Sequence, residues 1–116
     1  MLRTILKSKI HRAVVTEANL YYEGSITIDV KLMKAADILP YEKVEVLNLN
    51  NGHRLETYAI CGKANSGIIC LNGPAARGAC SGDAVVILAY VNATDEEAGK
   101  INPKIVKVDG KNRIKN

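Results

Sequence analysis

Residues 20 to 27 read Leu-Tyr-Tyr-Glu-Gly-Ser-Ile-Thr, so Gly24 and Ser25 join a tyrosine pair to an alternating apolar segment. Two readings are open. Gly-Ser is a common turn dipeptide, and standing alone it would usually be no more than that. It is also a peptide bond whose serine hydroxyl can reach the preceding carbonyl carbon, so that the chain attacks itself. Other reactive residues are sparse. His11 and His53 are isolated, and each is read more readily as a satisfied strand residue than as a catalyst. There is no Walker loop, no GxGxxG and no compelling Ser-His-Asp spacing. Cys61, Cys70 and Cys80 form no CxxC pair, which argues against a metal site or a disulfide framework. They read as buried or half-buried thiols of a reducing, cytoplasmic compartment.

The elements that must carry these residues are mostly strands. In "KSKIHRAVVT", Lys9, His11, Ala13 and Val15 would share one face. After the Gly24-Ser25 corner, Ile26, Ile28 and Val30 would lie opposite Ser25, Thr27 and Asp29. "VKLMKAADIL" predicts a helix capped by Asp29 and ended by Pro40. Asn51-Gly52 predicts a tight hairpin between "KVEVLNLN" and "HRLETYAI". "GIICLN" and "AVVILAYV" are further strands around a small-residue loop, "TDEEAGK" holds a helical turn, and "KIVKV" is a last strand. Six or seven strands with one or two short helices predict a mainly β domain, closed as a small barrel.

Bulk properties agree. One domain of 116 residues can bury a core without disulfides, but with no Phe or Trp it must build that core from Ile, Leu, Val, Ala and a few tyrosines. The longest apolar run, Ala84 to Val91, is too short to cross a membrane as a helix. The net charge of +4 resides in residues 104–116, a final strand and solvated tail, and the rest is neutral. With few aromatic stacking platforms as well, nucleic acid is not the expected partner. A non-enzymatic barrel binding some partner through that tail is the competing reading.

The order of particular blocks changes the balance. "RTILKSKIHRAVVTEANLYYEGSITID", "NGHRLETYAI", "LNGPAARGACSGDAVVI" and "DEEA" resemble the pyruvoyl-dependent aspartate decarboxylases, from Arg3 to about Ala98. The resemblance implies a double-psi barrel, a homotetramer with active sites at subunit contacts, and L-aspartate as substrate. It implies cleavage between Gly24 and Ser25 into residues 1–24 and 25–116, either spontaneous or assisted by a maturation protein. Ser25 would become the pyruvoyl group that forms a Schiff base with substrate. No pyridoxal phosphate or metal is then needed, because the pyruvoyl carbonyl is the electron sink that side chains lack.

The same resemblance assigns roles. Tyr58 is the proton donor, its phenol O–H serving as a general acid. Lys9 and Arg54 are the cations for two carboxylates, and Thr57, Gly73, Pro74 and Ala75 the other substrate contacts. Arg54 precedes Tyr58 by four positions, which places both on one strand face. Thr57, supported by Asn72, would donate to the oxyanion formed at Gly24. His11 and Tyr22 would line the pocket. Gly24, lacking a Cβ, is expected to take a strained turn worth about 1–3 kcal/mol, less than the roughly 3–4 kcal/mol of an oxyanion donor. Two positions depart from the family pattern: Pro74 removes a backbone N–H where alanine is usual, and Arg77 replaces a frequent histidine.

Overall fold

The computed structural model describes residues 1–115. Eight strands are present: β1 (Leu2–Val14), β2 (Glu17–Asn19), β3 (Ser25–Asp29), β4 (Lys43–Asn48), β5 (Arg54–Gly62), β6 (Ile69–Asn72), β7 (Ala84–Thr94) and β8 (Lys104–Lys107). Their order is β2-β6-β3-β5-β4-β7-β1-β8. The strand beyond the expected six or seven is β2, three residues long and too short to leave a pattern. The chain of β1 runs on through Val15 and Thr16 into β2, at the other end of that order. Val15 N–H donates to the Asp83 carbonyl at 2.9 Å, and Thr16 N–H to that of Ile69 at 2.8 Å. One continuous stretch thus ties both ends together, and the fold is the small double-psi barrel that the resemblance implied.

The core holds Ile10, Ile26, Ile28, Leu32, Met33, Ile69, Leu71 and Ile87, all fully buried. At roughly 1.5–3 kcal/mol each, such side chains supply what aromatic residues give other domains. Strict alternation in β1 fails. Ile10 and Ala13 are both 0% exposed, Arg12 sits at φ 61°, and the register with β7 shifts between Ile10 and Ala13. One extra residue makes a bulge that turns His11 and Arg12 out of the core.

Local signals elsewhere hold. Asp29 caps the helix α1 (Val30–Ala35), accepting from Lys31 N–H at 2.9 Å, and also accepts from Asn65 and Gly67 N–H. The helix stops before its expected end because Asp37 turns left-handed at φ 55°. Gly52, at φ 75°, turns the chain from β4 to β5. Thr94 and Glu97 form a capping box on α2 (Asp95–Ala98). Further expectations need correction. Among the described residues no tyrosine lies in the core, and Cys61 and Cys80 are exposed while Cys70 is buried. The loop after β6 opens as a 3-10 helix, Gly73–Gly78. The basic tail is anchored as well as solvated: Asn112, 2% exposed, donates to the carbonyls of Val14 and Gly67 and accepts from Val14 N–H.

Candidate active site

Ser25 opens β3 directly opposite Asn72 of β6, and both are 2% exposed. Asn72 Nδ2 donates to Ser25 Oγ and to Thr27 Oγ1, each at 3.0 Å. The Ser25 hydroxyl donates to the Glu23 carbonyl at 3.3 Å. Its proton and one lone pair are therefore both engaged, which fixes the rotor of a potential nucleophile. Behind Asn72, the Cys70 thiol donates to Oδ1 at 3.2 Å. The antiparallel register produces this cluster, pairing Ser25 with Asn72 and Thr27 with Cys70.

Gly24 faces the other way, onto a cavity of about 400 Å³ lined also by His53, Leu55, Glu56, Thr57, Tyr58, Pro74 and Ala75. Five sequence-assigned residues thus meet at one opening: Gly24, Thr57, Tyr58, Pro74 and Ala75. The expected strain at Gly24 is not a left-handed φ; the left-handed glycine is Gly73, at 62°. A Cβ on Gly73 would lie 2.6 Å from the Tyr22 carbonyl oxygen and 2.8 Å from the Gly24 nitrogen. A Cβ on Gly24 would lie 3.3 Å from the Pro74 ring. Close approach of backbone requires glycine at 73, whereas a Cβ at 24 would only be tight against the Pro74 ring. Among the described residues Thr57 makes no hydrogen bond to Gly24; it shares the cavity with it. The Tyr58 ring packs at 6.3 Å, centroid to centroid, on that of Tyr41.

Ser25, Asn72 and Gly73 adjoin this opening without lining it, and four further assigned residues lie away from it. Arg54 does share the outward face of β5 with Tyr58, but its guanidinium bonds Glu45 at 3.3 Å. The same Glu45 oxygen accepts from the Tyr90 hydroxyl at 3.2 Å, and burial followed by that carboxylate pushes the Tyr90 pKa up. Lys9 pairs with Leu88, Leu88 with Glu45, and Glu45 with Glu56. Lys9 is thus three strands from the rim residue Glu56, about 14 Å at ordinary strand spacing. His11 lines a separate cavity with Arg12 and Lys107. Burial, then Lys9, Arg12 and Lys107, lower its pKa. Tyr22 is exposed and reaches the site only through its backbone carbonyl, against Gly73.

The family model described as aspartate decarboxylase matches residues 1–115. The chain belongs to the aspartate decarboxylase family. It is 58% identical to the aspartate 1-decarboxylase of Syntrophobacter fumaroxidans, over 97% of this chain and 91% of that one. Against the aspartate 1-decarboxylase of Syntrophus aciditrophicus the identity is again 58%, over 99% of each chain. The Clostridium botulinum (strain Loch Maree) protein of the same name is also 58% identical, over 96% and 87%.

Aspartate decarboxylases are carboxy-lyases, so the binding-module reading of the basic tail falls. Within this member of the family, four site residues escaped the sequence reading: Thr27, Cys70, His53 and Glu56. Thr27 and Cys70 stand two positions from Ser25 and Asn72, on the same strand faces, and that period was a usable signal. Glu56 lies within the Arg54-to-Tyr58 block, and His53 immediately precedes it. His53 packs on Gly78, where a Cβ would come within 2.3 Å of its ring, and nothing in the sequence announced that contact.

Proposed function

We propose that this chain decarboxylates L-aspartate to β-alanine and CO2, a step toward pantothenate and coenzyme A, through a pyruvoyl group made from its own Ser25. The observation that carries the reading is the setting of one peptide bond. The Ser25 hydroxyl is buried and hydrogen-bonded on both sides, while Gly24, on the same bond, borders an open cavity. A break after Gly24 would leave a new terminus at the head of β3, beside Thr57 and Tyr58, and so the residues present fit the group.

Self-cleavage uses the chain's own atoms and one water. Ser25 Oγ bonds to the Gly24 carbonyl carbon, the carbon–nitrogen bond breaks, and the hydroxyl proton ends on the freed amine, giving an ester. Loss of the Ser25 Cα proton then forms a Cα=Cβ bond and expels the Gly24 carboxylate. Water replaces the nitrogen, which leaves as ammonia. Once formed, the pyruvoyl group would supply the electron-accepting carbonyl that lets the substrate lose CO2. Tyr58 returns a proton to the substrate carbon, and Thr57 donates to the oxyanion at Gly24 during cleavage. Gly73 and Ala75 offer backbone contacts to substrate, and Pro74 offers only its ring.

Arg54 and Lys9 hold the two carboxylates of aspartate, Arg54 through two parallel hydrogen bonds. Lys9 lies three strands from the cavity of its own protomer, which favours a homotetramer in which a neighbour's lysine completes the site. Among the described residues no helix is long and apolar enough to cross a membrane, and a cytoplasmic setting belongs to this reading.

Intact mass spectrometry tests it. Mature protein should give two chains, 1–24 with a free carboxylate and 25–116 lighter by one ammonia than a serine-terminated fragment. A single unbroken chain with full decarboxylase activity would refute the assignment.

A further inference from the structure

We propose that Cys70 is a positioning residue for self-cleavage, its thiol holding the Asn72 carboxamide in the orientation that aims an N–H at Ser25 Oγ. The inference rests on the reading that the chain breaks at Gly24-Ser25. A carboxamide is nearly symmetric in shape, and its two orientations differ only in which end donates. As seen, Nδ2 donates to Ser25 Oγ and Thr27 Oγ1, and Oδ1 accepts from Cys70. The single Ser25 hydroxyl proton is directed at the Glu23 carbonyl, so Oγ itself needs a donor. Turned over, Asn72 would set Oδ1 against that oxygen and leave its buried N–H groups facing sulfur, a weak acceptor. The thiol selects between the two orientations only while it is protonated. Its contact with Asn72 Oδ1 at 3.2 Å is much shorter than that with the Leu71 carbonyl at 4.0 Å. Burial, followed by the carboxylate of Glu17 (its register partner on β2), pushes its pKa up.

The donor at Oγ acts unequally on the two bond-breaking steps. In the acyl shift Oγ is the nucleophile, and an N–H on it does little to help attack. In the elimination the Cβ–Oγ bond breaks, its electron pair stays with the departing Gly24 carboxylate, and an N–H at Oγ stabilises that charge as it develops. A loosened Asn72 should therefore slow elimination more than ester formation. Neither the thiol nor the amide is consumed.

The test follows freshly synthesised protein by intact mass, with hydroxylamine added to part of each sample to cleave any ester. For Cys70→Ala, cleavage should slow by about three- to tenfold, the scale of one buried hydrogen bond, and a hydroxylamine-sensitive fraction should build up. Cys70→Ser, which keeps a donor, should cleave within about twofold of the parent. Far-UV circular dichroism checks folding, and Cys70→Val repeats the measurement should the alanine variant not fold. Equal rates for parent and Cys70→Ala, or a serine variant as slow as the alanine one, would overturn the proposal. A parent chain that never cleaves would overturn the functional reading beneath it.

Discussion

Gly73 lies with its backbone against that of Gly24, so close that a Cβ at position 73 would stand 2.8 Å from the Gly24 nitrogen and 2.9 Å from its Cα. The contact presses the left-handed turn after β6 against the bond proposed to break. Gly73→Ala should incur about 1–2 kcal/mol for its φ of 62°, plus the overlap itself. The thermal midpoint should fall by at least about 4 °C and cleavage should slow. Calorimetry and intact mass would check both, and an unchanged midpoint would mean that the turn can relax freely.

Ser25→Ala removes the hydroxyl at the bond proposed to break and leaves β3 intact. The expected product is a folded, uncut chain that releases no CO2 from carboxyl-labelled aspartate. Labelled CO2 at the parental rate would show that another carbonyl does the chemistry.

Tyr58→Phe separates processing from turnover. The ring can still pack on Tyr41, so folding and cleavage should survive. Turnover should fall by about 10²- to 10⁴-fold, the range for a lost general acid. Single-turnover rates on fully cleaved protein measure this directly, and an unaltered rate would assign the proton to another group.

Arg54 carries a second, sharper prediction. Lysine keeps the charge but loses the planar pair of donors, so Arg54→Lys should raise KM for aspartate by about ten- to a hundredfold while cleavage proceeds. Because Glu45 now occupies that guanidinium, Glu45→Gln should shift KM the opposite way. Steady-state kinetics of the two variants would test the pair together.

His11 predicts a pH dependence of stability. Burial first, then Lys9, Arg12 and Lys107, hold its pKa below 6.5, so the folded protein favours the neutral ring. Below about pH 6.5 the unfolded chain binds the proton more readily. The stabilisation is thus complete above that pH and is lost as pH falls through the folded value. Thermal midpoints measured from pH 7.5 to 5 should decline, and His11→Gln should flatten the decline. Parallel profiles for the two proteins would remove His11 from the account.

How much of this was legible in the chain depends on the range of the interaction involved. Asp29 as a cap, Asn51-Gly52 as a turn and the helical turn in residues 94–100 were all readable, because each rests on torsional preference and neighbours a few positions away. The family blocks, with Gly24-Ser25 among them, were readable for the same reason: they are contiguous residues. The bulge at Arg12 was not. It depends on how β1 meets β7, and alternation alone counts straight through it.

The link from Asn72 to Ser25 spans 47 positions, and only the β3–β6 register brings the two side chains within 3.0 Å. Barrel closure likewise presses Gly73 on Gly24, and leaves Lys9 three strands from the cavity that its charge would serve. Sequence by itself therefore determined the residue types and the elements that carry them, through local backbone energetics. Tertiary structure alone decided which of those residues meet, because strand pairing joins segments whose separation along the chain holds no distance information.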